Sequence, residues 1–275
     1  MASFTKEDER IIVQLCKRDS TTHKRRSGVF TDELKLKTYQ LKYGVSNRLA
    51  NRIALQPTLF EAAQRANGIR VPELLYHFKE GGISYLVMEY IQLVKILPNN
   101  MDARIEHALW WLSSFPGDKL GPVGGKYIIH DFFNDGEAPL SFKSIEALEL
   151  YIEKGRKRVG NHEKTLPRVS FKDEKLMLVQ GDVDNAHFGA DTLGNTVIMG
   201  FRSMSFLPDS FGRFTLATTR KPSLIALPDK FQWSGASNMK TMVEVYANLA
   251  MTGEPSLGLD DYGKPKKGVR KTCPG

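Results

Sequence analysis

At 275 residues, with 41% hydrophobic and 25% charged side chains, the chain can form one large domain or two lobes with real cores. No run approaches the ~18 consecutive apolar residues of a membrane span, and residues 1–8 lack the apolar segment of a secretory signal. The net charge of +8 sits at the ends, in Lys17, Arg18, Lys24, Arg25 and Arg26 and again in Lys264, Lys266, Lys267, Arg270 and Lys271, so the middle is near neutral.

No aromatic-interleaved basic stripe and no zinc-ligand spacing accompanies that charge, so nucleic acid is not an expected partner. The two cysteines, Cys16 and Cys273, are expected as free thiols in a reducing compartment, which places the chain in the cytoplasm.

Thr5 stands three residues before Asp8 and ahead of Ile11, Ile12 and Leu15, a capping pattern that predicts a helix to about Cys16. Residues 17–28 are polar and basic and read as a loop. Residues 38–43 read as a strand closed by Gly44. Pro57 suits the first turn of a helix running to about Ala66 and ended by Asn67 and Gly68. Residues 74–78 and 83–88 flank Gly81-Gly82, the strongest hairpin signal in the chain.

Helices are expected to dominate afterwards. Ile105, Leu109 and Leu112 recur at helical spacing beside Trp110 and Trp111. Ser144 is placed to cap a helix over residues 145–152. Ser237 is placed to cap another over 239–251, whose Met239, Met242, Val243, Tyr246 and Leu249 read as core. The short apolar runs 176–179 and 196–199, with a turn at 191–195 between them, predict a buried hairpin. His130 and Asp131 would point to opposite faces of a strand and read as structural.

Several landmarks occur in a telling order. They are Leu41-Lys42-Tyr43-Gly44, Ile69-Arg70-Val71-Pro72, Leu86-Val87-Met88-Glu89-Tyr90-Ile91, the loop Gln180-Gly181-Asp182-Val183-Asp184, and Gly200-Phe201-Arg202. Over roughly residues 28–250 this order resembles the protein-kinase-like superfamily, and within it the aminoglycoside-phosphotransferase type. Residues 121–125, Asp131-Phe132-Phe133, Ala138-Pro139 and Phe206-Leu207-Pro208 resemble its fungal members.

The resemblance implies an α+β, two-lobed protein-kinase-like fold: a small β-rich N-terminal lobe with a leading helix over residues 1–91, a larger mainly helical lobe over 92–263 carrying the catalytic-loop hairpin, and a basic tail over 264–275. It also implies that Lys42 meets nucleotide phosphates and that Met88, Glu89 and Tyr90 form the adenine hinge.

The departures from the family pattern bear on function. His-Gly-Asp becomes Gln180-Gly181-Asp182, His187 stands where a metal-binding Asn belongs, and Gly200 replaces the Asp of the second metal ligand. Asp182 can still accept a proton, but an imidazole suits zinc or iron better than magnesium, and Gly200 offers no side chain. The family's helix glutamate falls near Gln56, with Glu61 one or two turns later, and Ser27-Gly28-Val29 supplies a single glycine where a glycine-rich loop belongs.

Phosphoryl transfer depends on positioning and on charge stabilisation by the metal, so these changes disfavour it. The expectation is a degenerate kinase-like protein, repurposed as a small-molecule enzyme with isomerase- or cyclase-type acid–base chemistry in fungal secondary metabolism. Asp182 and His187 would be catalytic. Lys42, Met88, Glu89, Tyr90, Gln180, Asp184, Gly200, Phe201 and Arg202 would line a vestigial nucleotide pocket in the cleft expected between the lobes. No cofactor and no metal are expected; the partner is a small organic molecule. One alternative is an ATP- and magnesium-dependent phosphotransferase with an altered metal site; another is a non-catalytic pseudokinase that binds a protein.

Overall fold

A computed structural model describes residues 4–23, 27–32, 37–96, 98–159 and 166–266. Cys273, most of the basic tail and Lys24, Arg25 and Arg26 lie outside them. The chain divides into two compact units. The first is Met1–Ile105 with Val123–Gly125 and Asp184–Arg202; the second is Glu106–Pro122, Lys126–Val183 and Ser203–Gly275.

The first unit opens with α1 (Lys6–His23). Thr5 and Asp8 cap it reciprocally: the Thr5 N–H donates to Asp8 Oδ2 at 2.7 Å, and Thr5 Oγ1 accepts from the Asp8 N–H at 3.2 Å. The helix runs on through residues 17–23, where the sequence suggests a loop. No Gly or Pro interrupts that stretch, and a helix once started continues until something stops it.

Four antiparallel strands follow in the order β1-β2-β5-β4 (β1 Ser27–Asp32, β2 Lys37–Val45, β4 Leu74–Glu80, β5 Ile83–Glu89). Ser27, Gly28 and Val29 are strand residues, paired with Lys42, Leu41 and Gln40. Gly81 and Gly82 have φ of 56° and 79°, the two left-handed positions of the expected hairpin turn. Tyr39 and Leu41 are buried with Ile12, Val13 and Cys16 of α1. Strand alternation therefore sends Lys42 to the other face of the sheet.

After β2 comes α2 (Ser46–Ala63), which contains Pro57 in its interior instead of starting there. An interior proline costs about 3 kcal/mol of helix propensity. The burial of Asn51, Arg52, Leu55, Gln56 and Leu59 along the helix outweighs it. Sequence pattern around a proline therefore misplaced the start of this helix by more than two turns.

The expected hairpin of residues 176–179 with 196–199 does not form. β7 (Phe188–Ala190) pairs with β8 (Thr196–Ile198), and β8 runs parallel to β3 (Ile69–Arg70). The cause is the turn between them. Asp191 Oδ1 accepts from the Leu193 and Asn195 N–H groups at 3.0 and 2.8 Å, closing a tight loop that leaves only Phe188, Gly189 and Ala190 opposite β8. Those three residues carry little strand signal of their own.

This pairing, with the bonds Val94 N–H to Ala190 O (2.9 Å) and Arg104 Nη1 to Gly194 O (2.6 Å), knits residues 184–202 into the first unit. The first unit accordingly reaches Ile105 and is built from separate stretches of chain, where the sequence suggests one lobe ending at 91.

In the second unit β6 (Leu176–Gln180) pairs antiparallel with β9 (Met204–Pro208), with α4 (Ile145–Arg156), α5 (Asp209–Thr218), the short α6 (Leu227–Lys230) and α7 (Met239–Leu249). Phe132, Phe133, Leu148, Tyr151, Phe211, Phe214, Met242 and Val245 share its core. Ser144 caps α4 as expected, accepting from the Ala147 N–H at 3.2 Å.

Ser237 is not the cap of α7. A single 3-10 turn over Ala236–Asn238 precedes that helix. Asn238 sends its amide to Ser170 O and Glu174 Oε1 instead. His130 is structural: it is buried, its Nδ1 accepts from the Phe132 N–H at 3.0 Å, and burial brings its imidazole down to about 4. Among the described residues no helix is long and apolar enough to cross a membrane.

Candidate functional site

Three stretches of the first unit converge on one cavity of about 470 Å³. Strand β2 supplies Lys42. Helix α2 supplies Arg48 and Arg52, four residues apart and so on one helical face. The returning segment supplies His187 from the turn before β7, and Gly200, Phe201 and Arg202 from the turn after β8.

Packing fixes α2 against that segment. Asn51 Nδ2 donates to Phe201 O at 2.8 Å, and Asn51 Oδ1 accepts from the Gly124 N–H at 3.2 Å. Gly124 lies so close to the helix that a Cβ there would sit 2.4 Å from Ala50 O. Only glycine allows this approach.

Arg52 is the most constrained cation. Only 5% of it is exposed. Its Nη1 donates to Gln56 Oε1 at 3.0 Å and reaches Met88 Sδ at 3.4 Å; its Nη2 donates to Met199 O. The guanidinium lies 4.7 Å from the centre of the Phe201 ring. All these partners are neutral. Burial lowers the pKa of the guanidinium to about 10. Burial, with a smaller push from the Arg52 charge, brings the Lys42 ammonium down to about 8.

Lys42, Arg48, Arg52, His187 and Arg202 all line the cavity, and among the described residues no Asp or Glu does. Of the two positions the sequence resemblance offers for a glutamate beside the lysine, Gln56 is fully buried and donates to Pro72 O at 2.6 Å, while Glu61 is exposed. The donor set does not fit a divalent cation such as magnesium, which needs several oxygen ligands; the lining offers one imidazole and four cations. Among the described residues no cluster of three or more His, Cys, Asp or Glu side chains is gathered to hold a metal. What the arrangement can do is hold negative charge.

The residues expected from sequence fall in different places. Lys42, His187, Gly200, Phe201 and Arg202 come together in the cavity wall. Met88 is buried beneath it, against Arg52. Glu89 is held by Arg70 at 2.5 Å, and Arg70 also bonds Asp191 at 2.9 Å, so Glu89 serves an ion-pair network. Tyr90 is exposed. Asp184 is exposed and accepts from the Ala186 N–H at 2.8 Å, shaping the turn that carries His187. Gln180 and Asp182 belong to the second unit, where Gln180 Oε1 accepts from Ser203 Oγ at 2.8 Å.

Sequence reasoning missed Arg48 and Arg52, because it started the helix at Pro57. The available signal was their four-residue spacing directly after the strand that carries Lys42.

No protein-family model matches the sequence, and no curated protein matches it. Solved structures do. One is a protein assigned as a fructosamine-3-kinase from Haemophilus somnus 129PT, at 12% identity over 90% of this chain and 96% of that one, with a TM-score of 0.50. Another is the GDP complex of a point mutant of aminoglycoside 2'-phosphotransferase-IIIa, at 11% identity over 87% of each chain, with a TM-score of 0.51. At such identities the likeness is one of fold: the chain has a kinase-like, two-lobed α+β architecture of the kind found in phosphotransferases.

Proposed function

We propose that the protein binds an anionic small organic molecule in the cavity of its first unit, without a divalent metal, and acts on it by proton transfer instead of phosphoryl transfer. The observation that carries this reading is the lining: Lys42, Arg48, Arg52, Arg202 and His187, with no carboxylate among the described residues that line it. A buried cation without a counter-charge is costly, and a bound anion removes the cost. A kinase site needs the opposite arrangement, with carboxylates gathering magnesium and magnesium gathering phosphates.

Isomerisation or cyclisation fits such a site, since either needs shape and a group that moves a proton. His187, the imidazole of the cavity wall, is the proposed group. Asp182 keeps the proposed role that its loop sequence gives it, a carboxylate able to accept a proton. The secondary metabolism of a fungus is the proposed setting, on the resemblance of residues 121–125, 131–133, 138–139 and 206–208 alone.

The test is a melting-temperature screen of anionic metabolites in EDTA, with ATP and magnesium as comparator. A ligand at about 100 times its Kd stabilises by roughly 2.7 kcal/mol. Organic anions should raise the melting temperature in EDTA, and the gain should shrink with added salt. A nucleotide shift that requires magnesium, together with transfer of the γ-phosphate, would establish the phosphotransferase reading and overturn this one.

A further inference from the structure

Lys42 stands out among the cavity cations. Arg52 is anchored by Gln56, Met88 and Met199, whereas among the described residues the Lys42 side chain has no hydrogen bond and no ion pair. The strands beside it contribute nothing charged to its position, since Lys42 pairs across the sheet with Ser27 on β1 and Leu86 on β5. Among the described residues, the charged and titratable groups that share its cavity are Arg48 and Arg52 from α2 and His187 and Arg202 from the returning segment, and none of them is an acid. A lysine meant only to hold charge is normally paired or solvated. A lysine taken out of water beside another cation, opening on a cavity large enough for an organic ligand, is set up as a nucleophile.

We propose that Lys42 is a nucleophilic amine that condenses with an aldehyde or ketone carrying an acidic group, the anion of the ligand being held by Arg48, Arg52 and Arg202. This rests on the anion-binding reading of the same cavity.

In the step, the neutral Lys42 amine adds to the carbonyl carbon. A C–N bond forms as the C–O π bond opens, and the oxygen takes up a proton. Loss of water then breaks the remaining C–O bond and leaves C=N. The imine nitrogen takes back the proton that the ammonium shed beforehand, so the net change is one water released per imine formed. No oxidant or reductant enters. The depressed ammonium of Lys42 supports the proposal, because about half of it is neutral near pH 8, against well under 1% of an ordinary lysine. The protonated imine then makes the adjacent carbon acidic, which is the kind of proton that a neighbouring imidazole can move.

The experiment treats the full chain with 4-carboxybenzaldehyde or with uncharged benzaldehyde, in the presence of cyanoborohydride, from pH 6 to 11. The trapped secondary amines are mapped by peptide mass spectrometry. At pH 8 the carboxylated aldehyde should label Lys42 at least ~10-fold faster than any exposed lysine, with a pH midpoint near 8. R52Q removes one cause of that midpoint and should move it upward, and it should also shrink the preference for the carboxylated over the uncharged aldehyde, an effect that a purely structural role for Lys42 would not produce. In K42R the fast adduct should vanish.

Labelling of Lys42 no faster than surface lysines, or a midpoint above 10 in the unmodified protein, overturns the proposal even if K42R fails to fold. Fast labelling of Lys42 by both aldehydes alike would keep the nucleophile and overturn the anion reading. Melting shifts with anions but no adduct at Lys42 would do the reverse.

Discussion

Arg52 in the first unit and Glu174 in the second are both ionisable groups drawn largely out of water, and their surroundings differ in kind. Arg52 is held by a side-chain carbonyl, a thioether and a main-chain oxygen, in a cavity whose wall carries further cations and, among the described residues, no acid. Glu174 lies beside another carboxyl, that of Asp209. Its oxygens accept from the Ser210 N–H at 2.9 Å, from Ser210 Oγ, and from Asn238 Nδ2 at 2.6 Å. Asp209 Oδ2 accepts from the Ser234 N–H and hydroxyl, both at 2.7 Å, while its buried Oδ1 meets no donor.

The acid pair is thus answered from within, by donors and by a proton it can share. Arg52 and Lys42 meet no acid among the described residues. Charge that the fold pairs with its own donors belongs to architecture; buried cations that line a cavity without an acid are what an anionic ligand can use.

The largest expected effect tests the open side of this contrast. Arg52→Gln should weaken binding of an anion by about 10- to 100-fold, the worth of one charged hydrogen bond, while the melting temperature falls only slightly, because the acceptors it leaves, Gln56 Oε1 and Met199 O, are neutral and no acid partner is orphaned. Titration calorimetry with thermal melts would decide. A large fall in melting temperature would mean that Arg52 serves the fold.

Gly124→Ala comes next. Its Cβ would strike Ala50 O, so α2 must shift, at a cost of about 1–3 kcal/mol with loss of anion affinity alongside. Chemical denaturation and the same titration would read both.

Asp209→Asn tests the answered side. Burial, followed by the adjacent Asp209, raises Glu174 to about 7 from its ordinary 4.5. A raised carboxyl pKa means that the folded state holds the proton more tightly. The stability it contributes is therefore complete below pH 4.5, falls as pH rises to 7, and is flat beyond. An amide NH₂ in place of Oδ1 would donate to Glu174 in the proton's stead. It should flatten that slope and raise the melting temperature at pH 8 by about 3 °C. An unchanged slope would remove the shared proton from the account.

The smallest effect is the control. Arg10→Ala breaks an exposed 3.4 Å pair with Glu7 and should change stability by less than about 0.5 kcal/mol.

Much of this was legible from residues alone where the signal was local. Gly81-Gly82, Thr5 with Asp8, and Ser144 each carry their turn or cap within four residues, and the order of landmarks pointed to the kinase-like fold. What was not legible depended on distant partners. Pro57 looked like a helix start because its cost is local, whereas the packing of Asn51, Arg52 and Gln56 that overrides it comes from the rest of the unit. Strand β7 has three residues and is defined by what it pairs with. Ser237 does not cap its helix, and the neighbouring Asn238 bonds Glu174, 64 residues away. In the site, Lys42, His187 and Gly200 could be named from motif positions, whereas the spacing of Arg48 and Arg52 points to the lysine only once the helix is known to start at Ser46.

The way residues 184–202 are sewn into the first unit by β3, β8, Asn51 and the Arg70–Asp191 pair has a consequence for descent and for engineering. No single stretch of gene encodes this cavity. A recombination that moved residues 1–105 into another protein would carry Lys42, Arg48 and Arg52 and leave His187 and Arg202 behind. The cavity can therefore be inherited only with the whole intervening chain, and the second unit travels with it whether or not it takes part in the chemistry.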